Sequence, residues 1–329
     1  MSDTPLLQVD NLDVAVRLPD GGSMPILNDI GLTLKRGETL GIVGESGSGK
    51  SLLSLAIIGL LPPVAKATGR IVLDGQDLLG LEDDALCQIR GNRIGMIFQE
   101  PMTALNPAMT VGDQIAEGLV WHRGLSWRAA RREAVALLDQ VRIPDAARRA
   151  KTYPHEMSGG QRQRVGIAMA LALKPDLMIA DEPTTALDVT VQAEVLDILD
   201  DLTREYGMAL ILVSHDLGVI ARMCERTLVM YAGRRLEEGP TRQVLSNPKN
   251  PYTRGLLKAV PRRQADGGRL ATILGTVPGF ARLPPGCVFS DRCPDRIGIC
   301  DEREPGWTAI GDSSGVRCVH AESAEGKRP

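Results

Sequence analysis

The chain has 329 residues, room for one large domain or two modest ones, with 43% apolar side chains and a formal net charge of −3. That balance excludes a general polyanion-binding surface, and 3% aromatics leave few rings on which single-stranded bases would stack. The longest apolar stretch, Leu52 to Leu61, is broken by Ser54 and Gly59 and is too short to cross a bilayer. Met1 to Asp10 has an acid at position 3 and no signal-peptide core, so a soluble, cytosolic chain is expected.

Residues 6–34 alternate apolar and polar positions, with Ile30, Leu32 and Leu34 marking antiparallel strands that lead into a Lys35-Arg36-Gly37 turn. Leu40-Gly41-Ile42-Val43 then reads as a buried strand. It delivers the chain to Gly44-Glu45-Ser46-Gly47-Ser48-Gly49-Lys50-Ser51, a complete G-x-x-x-x-G-K-[ST] loop. The glycines let successive backbone N–H groups turn inward around an anion, and a helix beginning near Lys50 adds its positive end. Lys50 is expected to reach the β- and γ-phosphates of a nucleotide and Ser51 to ligate Mg²⁺. The bland reading, a chance glycine-rich turn, sits poorly with a strand before the loop and a helix after it.

A further strand, Ile71-Val72-Leu73, ends in an Asp74-Gly75 turn, and Ile94 to Phe98 ends at Gln99, whose amide suits the orientation of Mg²⁺ or water. From about 105 to 172 the pattern becomes helical and cationic, with Arg123, Arg128, Arg131, Arg132, Arg142, Arg148, Arg149 and Lys151 reading as a solvated face. Within it lies Met157-Ser158-Gly159-Gly160-Gln161. Leu177-Met178-Ile179-Ala180 then reads as a buried strand presenting Asp181 and Glu182 at its exposed end. Asp181 is a candidate Mg²⁺ ligand, and Glu182 a candidate base for the attacking water. Two acids merely capping a strand is the alternative. Leu210-Ile211-Leu212-Val213-Ser214 likewise delivers His215 to a strand's carboxyl edge, where α/β ligands bind. Taken alone, Gln99 or His215 reads as an ordinary polar loop residue. Thr227–Met230 is one more strand. The order predicts an α/β fold: a P-loop NTPase core with a mostly parallel sheet, an antiparallel β subdomain and an inserted helical lobe over about 105–172.

Taken together, the phosphate loop, Gln99, Ser158-Gly159-Gly160-Gln161, Asp181-Glu182, Ala186-Leu187-Asp188 and His215 resemble the ATP-binding subunits of ABC transporters. The resemblance covers about residues 6–245. Tyr153-Pro154-His155-Glu156, Gln99-Glu100-Pro101-Met102-Thr103-Ala104-Leu105-Asn106-Pro107 and Asn250-Pro251-Tyr252-Thr253-Arg254-Gly255-Leu256-Leu257 are similar to the dipeptide/oligopeptide importer branch, in its D-type subunits. The resemblance implies an ABC-type ATP-binding domain over 1–245 and a Cys-rich C-terminal extension over 246–329. It implies ATP hydrolysis with Mg²⁺ that drives peptide uptake. Ser158, Gly159, Gly160 and Gln161, with Asp188, would contact the γ-phosphate held by a facing, second ATPase, in a heterodimer. The other implied partners are two integral-membrane permease subunits and an extracytoplasmic binding protein, which would set the chain at the cytoplasmic face of the membrane. Nucleic acid is not among them. Two positions depart from the family pattern. Met157 stands where Leu is usual, and Val16 stands where many relatives stack an aromatic ring on adenine, implying an aliphatic surface for the base. An importer of nickel or another small ligand, and a soluble ATPase acting on nucleic acid or the ribosome, are the alternative readings.

Cys287, Cys293, Cys300 and Cys318 form C-x5-C-x6-C-x17-C. Thiolates are soft ligands, and in a reducing compartment such clustering points to a metal more than to disulfides. The absence of a short C-x2-4-C knuckle weighs against zinc. Wider spacing favours a [4Fe–4S] cluster, which some members of the resembled branch carry. Two disulfides or four free thiols remain the bland readings. Cys87 and Cys224 stand apart as ordinary thiols.

Overall fold

A computed structural model describes residues 4–99, 104–185, 187–259, 273–311 and 313–325. Its principal elements in chain order are β1 (Leu7–Arg17), β2 (Ser23–Leu34), β3 (Thr39–Val43), α1 (Lys50–Ile57), β4 (Ala65–Leu73), β5 (Gln76–Asp77), α2 (Asp83–Ile89) and β6 (Ile94–Ile97). There follow α3 (Val111–Arg123), α4 (Trp127–Gln140), α5 (Gly159–Leu171), β7 (Leu177–Asp181), α6 (Val189–Tyr206), β8 (Ala209–Val213), α7 (Leu217–Met223) and β9 (Arg226–Tyr231). The chain ends through β10 (Arg234–Pro240), α8 (Thr241–Ser246), α9 (Pro251–Ala259), β11 (Trp307–Gly311), β12 (Ser314–Arg317) and α10 (Val319–Glu325). Among the described residues, those within Met1–Leu6, Leu34–Glu38 and Gly80–Val213 form one compact unit. Those within Leu7–Thr33, Thr39–Leu79 and Ser214–Pro329 form the other.

In the first unit β6, β7 and β8 run parallel, with Ile97 opposite Ala180 and Asp181 opposite Val213. Every residue of β7 and β8 is buried. This is why both read as unbroken apolar runs rather than alternating ones: a parallel strand covered on both faces has no polar side. The helical lobe predicted over about 105–172 is built from α3, α4 and α5. Thr110 caps α3 by accepting the Asp113 N–H, and Ser126 caps α4 by accepting that of Ala129. Arg131 pairs with Asp113 and Arg142 with Asp201, so part of the cationic face is neutralised at an exposed surface. α6 turns Val195, Leu196, Ile198, Leu199 and Leu202 inward at helical spacing.

In the second unit, β2, β1, β4 and β5 form an antiparallel sheet in that order, as the alternating pattern predicts. Asp74 and Gly75 both adopt positive φ, 49° and 86°, the signature of the tight hairpin between β4 and β5. β3 runs parallel to β9, while β10 returns antiparallel and continues into β12 and β11. The chain beyond 240 therefore adds strands to this sheet as well as carrying its cysteines. β11 and β12 are only five and four residues long. Gly315 leaves room for the Trp307 indole, since a Cβ there would lie 2.3 Å from the ring. The segment Asn250-Pro251-Tyr252 leads into α9, which ends at Ala259; Val260 lies outside the described residues. No helix among the described residues is long and apolar enough to cross a membrane.

Candidate nucleotide site

The phosphate loop leaves the buried strand β3 and enters α1. Gly44 admits no side chain, because a Cβ would meet the Met230 carbonyl oxygen at 2.2 Å and Ser48 Oγ at 2.7 Å. Gly47 and Gly49 hold φ of 79° and 97°, left-handed backbone that favours glycine, and Gly49 is the N-cap of α1. Ser48 is buried, Ser51 half-buried, and Ser46 and Gly47 are exposed at the rim. Lys50 is only 6% exposed. Its ammonium donates to the Gly44 carbonyl at 2.8 Å, to that of Glu45 at 3.1 Å and to Ser48 Oγ at 3.4 Å. A cation is thus held among loop carbonyls at a helix N-terminus, a combination that receives a polyphosphate.

In the other unit, Asp181 closes β7 and is 4% exposed. Glu182 follows at φ 47°, a conformation that costs a non-glycine residue about 1–3 kcal/mol and clusters at functional sites. Its N–H donates to Val213 O at 3.0 Å. Its Oε2 accepts the Thr185 hydroxyl at 2.9 Å and the exposed Gln99 amide at 3.4 Å. Gln99 therefore meets the candidate base directly. Ser51, Gln99 and Asp181 offer hard oxygen donors of the kind Mg²⁺ takes. Glu100 to Thr103 and Ala186, which belong to the family-like segments, lie outside the described residues.

Ser158 is the N-cap of α5. Its hydroxyl accepts the Gln161 N–H at 3.3 Å, and Gln161 Oε1 accepts the Ser158 N–H at 3.2 Å. The motif alone gives Gly159 and Gly160 the same expected role at the γ-phosphate of a facing ATPase. The structure separates them. A Cβ on Gly159 would have only an ordinary contact, 3.9 Å to Leu187, whereas one on Gly160 would lie 2.5 Å from Val191 Cγ1. Gly160 is required by packing of α5 on α6. Asp188 N-caps α6, accepting from the N–H groups of Thr190 and Val191 at 3.1 and 3.0 Å. Val189 beside it is 82% exposed.

His215 is exposed between Ser214, whose N–H donates to Ile42 O at 3.1 Å, and Asp216, the N-cap of α7. Val16 is half-buried near the end of β1, paired with Ala65 of β4. Arg292 belongs to no sequence motif, and Tyr252 stands out only within the importer-type segment; both contact Glu45 of the loop. The Asn250-Pro251-Tyr252 turn was the one available signal.

None of the six cysteines is in a disulfide. Burial pushes the Cys287 thiol up to about 11, with smaller lifts from the charges of Cys300, Cys293 and Cys318. Burial likewise raises Cys293 to about 11, with Cys318 and Cys300 adding to it. The donor type of these four thiols fits a soft metal, yet among the described residues no three His, Cys, Asp or Glu form a group placed to hold an ion.

Residues 27–185 match the ABC transporter family, and residues 236–300 match the oligopeptide/dipeptide transporter C-terminal region. The chain is 50% identical over 300 residues to the oligopeptide transport ATP-binding protein OppD of Salmonella typhimurium, covering 91% of this chain and 89% of that protein. It is 49% identical over 315 residues to the dipeptide transport ATP-binding protein DppD of Bacillus subtilis, covering 95% and 94%. Among solved structures, a dimeric post-hydrolysis state of the ATP-binding cassette MJ0796 bound to ADP and Pi superposes with a TM-score of 0.64. It shares 32% identity and covers 72% of this chain and 99% of that one.

Proposed function

This chain belongs to the ABC transporter ATP-binding family, and on that premise we propose how its residues turn ATP hydrolysis into peptide uptake. It is an ATPase and the motor subunit of an importer of di- or oligopeptides. The observation that carries this reading is the presence, in one chain, of a formed phosphate loop and a C-terminal segment of the peptide-transporter type. Near-full-length similarity to peptide import proteins favours peptides over nickel, and over action on nucleic acid or the ribosome.

Lys50 and the loop N–H groups hold the phosphates, with Ser51, Gln99 and Asp181 as the Mg²⁺ ligands. Mg²⁺ held by these side chains would supply neutralisation of the charge that develops on the phosphate oxygens. Glu182, fixed by Thr185, orients and polarises the attacking water. His215 steadies the γ-phosphate from its strand edge. Catalysis is then mainly positioning and charge stabilisation, as phosphoryl transfer requires. Adenine rests against the aliphatic Val16.

The opposing face of the pocket comes from a second, homologous ATPase, in a heterodimer. The open N-terminus of α5, with Ser158 and Gly159 exposed, and the exposed turn at Asp188 support that role. The partners are two integral-membrane permease subunits and, through them, an extracytoplasmic binding protein; the chain sits peripherally on the cytoplasmic face. Residues 1–245 act as the ATP-binding domain and 246–329 as the importer-type extension. The test is complementation. In a strain lacking this chain, wild type restores uptake of a labelled peptide and Lys50→Ala does not; uptake that persists without the chain refutes the reading.

We also propose that Cys287, Cys293, Cys300 and Cys318 hold a [4Fe–4S] cluster. Four soft donors close together in the sequence and the lack of a zinc knuckle support it. No step of ATP hydrolysis runs through it. Anaerobically purified protein should contain about four iron and four sulfide per chain; zinc without iron would overturn the assignment.

A further inference from the structure

We propose that Arg292 and Tyr252, both in the C-terminal segment, are positioning residues for the phosphate loop, and that Arg292 cancels a carboxylate that would otherwise oppose nucleotide binding. The inference rests on ATP being bound by that loop.

Glu45 is the second residue of the loop, so it places a negative charge beside the site meant for a polyanion. Arg292, 247 positions away, meets it as a two-pronged fork. Nη1 donates to Oε2 at 2.8 Å and Nη2 to Oε1 at 3.0 Å. The remaining donors are also engaged. Nε reaches Leu274 O at 2.9 Å, Nη2 reaches Gly275 O at 3.3 Å, and Nη1 reaches the Tyr231 hydroxyl at 3.3 Å. Five guanidinium N–H groups thus have five acceptors, with the Arg292 side chain only 6% exposed. Lysine, a point charge with three rotating donors, cannot reproduce that set.

The loop backbone is held as well. The Glu45 N–H donates to the Tyr252 hydroxyl at 2.9 Å. Tyr252 is fully buried, its ring packed against Tyr231 and Phe289 with centroids 4.7 and 5.2 Å away. Its own N–H donates to Asn250 Oδ1 at 2.8 Å, and Asn250 in turn donates to the carbonyls of Leu236 and Arg317. The first turn of the loop is therefore set by side chains remote in sequence. A loop fixed before the ligand arrives loses less freedom on binding, and one whose carboxylate is neutralised repels the triphosphate less.

The test measures ATP affinity of the full-length chain with Mg²⁺, by fluorescence of a labelled ATP and competition with unlabelled ATP. Arg292→Gln is expected to raise Kd about tenfold, and Arg292→Lys to recover only part of that loss. The decisive comparison is on a Glu45→Gln background. With the carboxylate gone, adding Arg292→Gln should change Kd little, whereas a merely structural role predicts the same further loss in both backgrounds. Equal losses, or no loss from Arg292→Gln, overturn the proposal. Should Arg292→Gln not fold, Tyr252→Phe decides: it keeps the ring and removes the acceptor, and an unchanged Kd refutes the positioning role. If wild type binds no ATP, the nucleotide reading fails and this inference with it.

Discussion

Thr185 donates its hydroxyl to the Glu182 carboxylate at 2.9 Å, and so fixes the candidate base on the turn that leaves β7. Glu182→Gln is expected to keep ATP affinity and lower turnover by about 10²–10⁴-fold, the usual range for loss of a positioned acid–base group. Thr185→Val removes one bond to a charged acceptor and should lower turnover about tenfold, without changing nucleotide Kd. Single-turnover hydrolysis and equilibrium binding separate the two effects.

Gly159 and Gly160 are expected to fail differently. Gly160→Ala drives a methyl to 2.5 Å from Val191, and should destabilise the chain by about 1–3 kcal/mol. Val191→Ala in the same chain should restore much of that stability. Gly159→Ala should leave the unfolding midpoint unchanged and lower turnover only in the assembled transporter. Thermal unfolding of the isolated chain, beside ATPase assays of the complex, checks both.

Cys224 supplies a pH dependence. Burial, with a smaller contribution from Glu225, raises its thiol from 9.0 to about 12. The folded state therefore keeps a proton that the unfolded state releases. Stability from this group is complete below pH 9 and is lost as pH rises from there through about 12. Denaturation of wild type and Cys224→Val between pH 8 and 11 should show a steeper alkaline loss in wild type. The same burial predicts that Cys224 resists alkylation at neutral pH until the chain unfolds.

Much of the site was legible because its chemistry is local in sequence. Gly44 to Ser51 form a contiguous loop, and the apolar run before Asp181 announces a buried parallel strand. Ser158 and Gln161 stand at the spacing of a reciprocal helix cap. What escaped was non-local. Arg292 and Glu45 have no periodic relation, and Gly160 is dictated by Val191 on a different helix. β11 and β12 are too short to show an alternation. Sequence spacing brings out four cysteines as a group, but C-x5-C-x6-C-x17-C says nothing of how their thiols are aimed, and among the described residues no three His, Cys, Asp or Glu are placed to hold an ion.

The central claim is that ATP hydrolysed with the help of this chain's Glu182 drives peptide movement. Its most direct test is the initial rate of labelled-peptide accumulation in proteoliposomes. These carry this chain with its permease subunits and the proposed second ATPase, with binding protein in the assay and ATP supplied to the face that bears this chain. The account predicts accumulation that requires ATP and falls to background with Glu182→Gln, although that variant still binds nucleotide. Equal accumulation by Glu182→Gln, or accumulation without ATP, would contradict it.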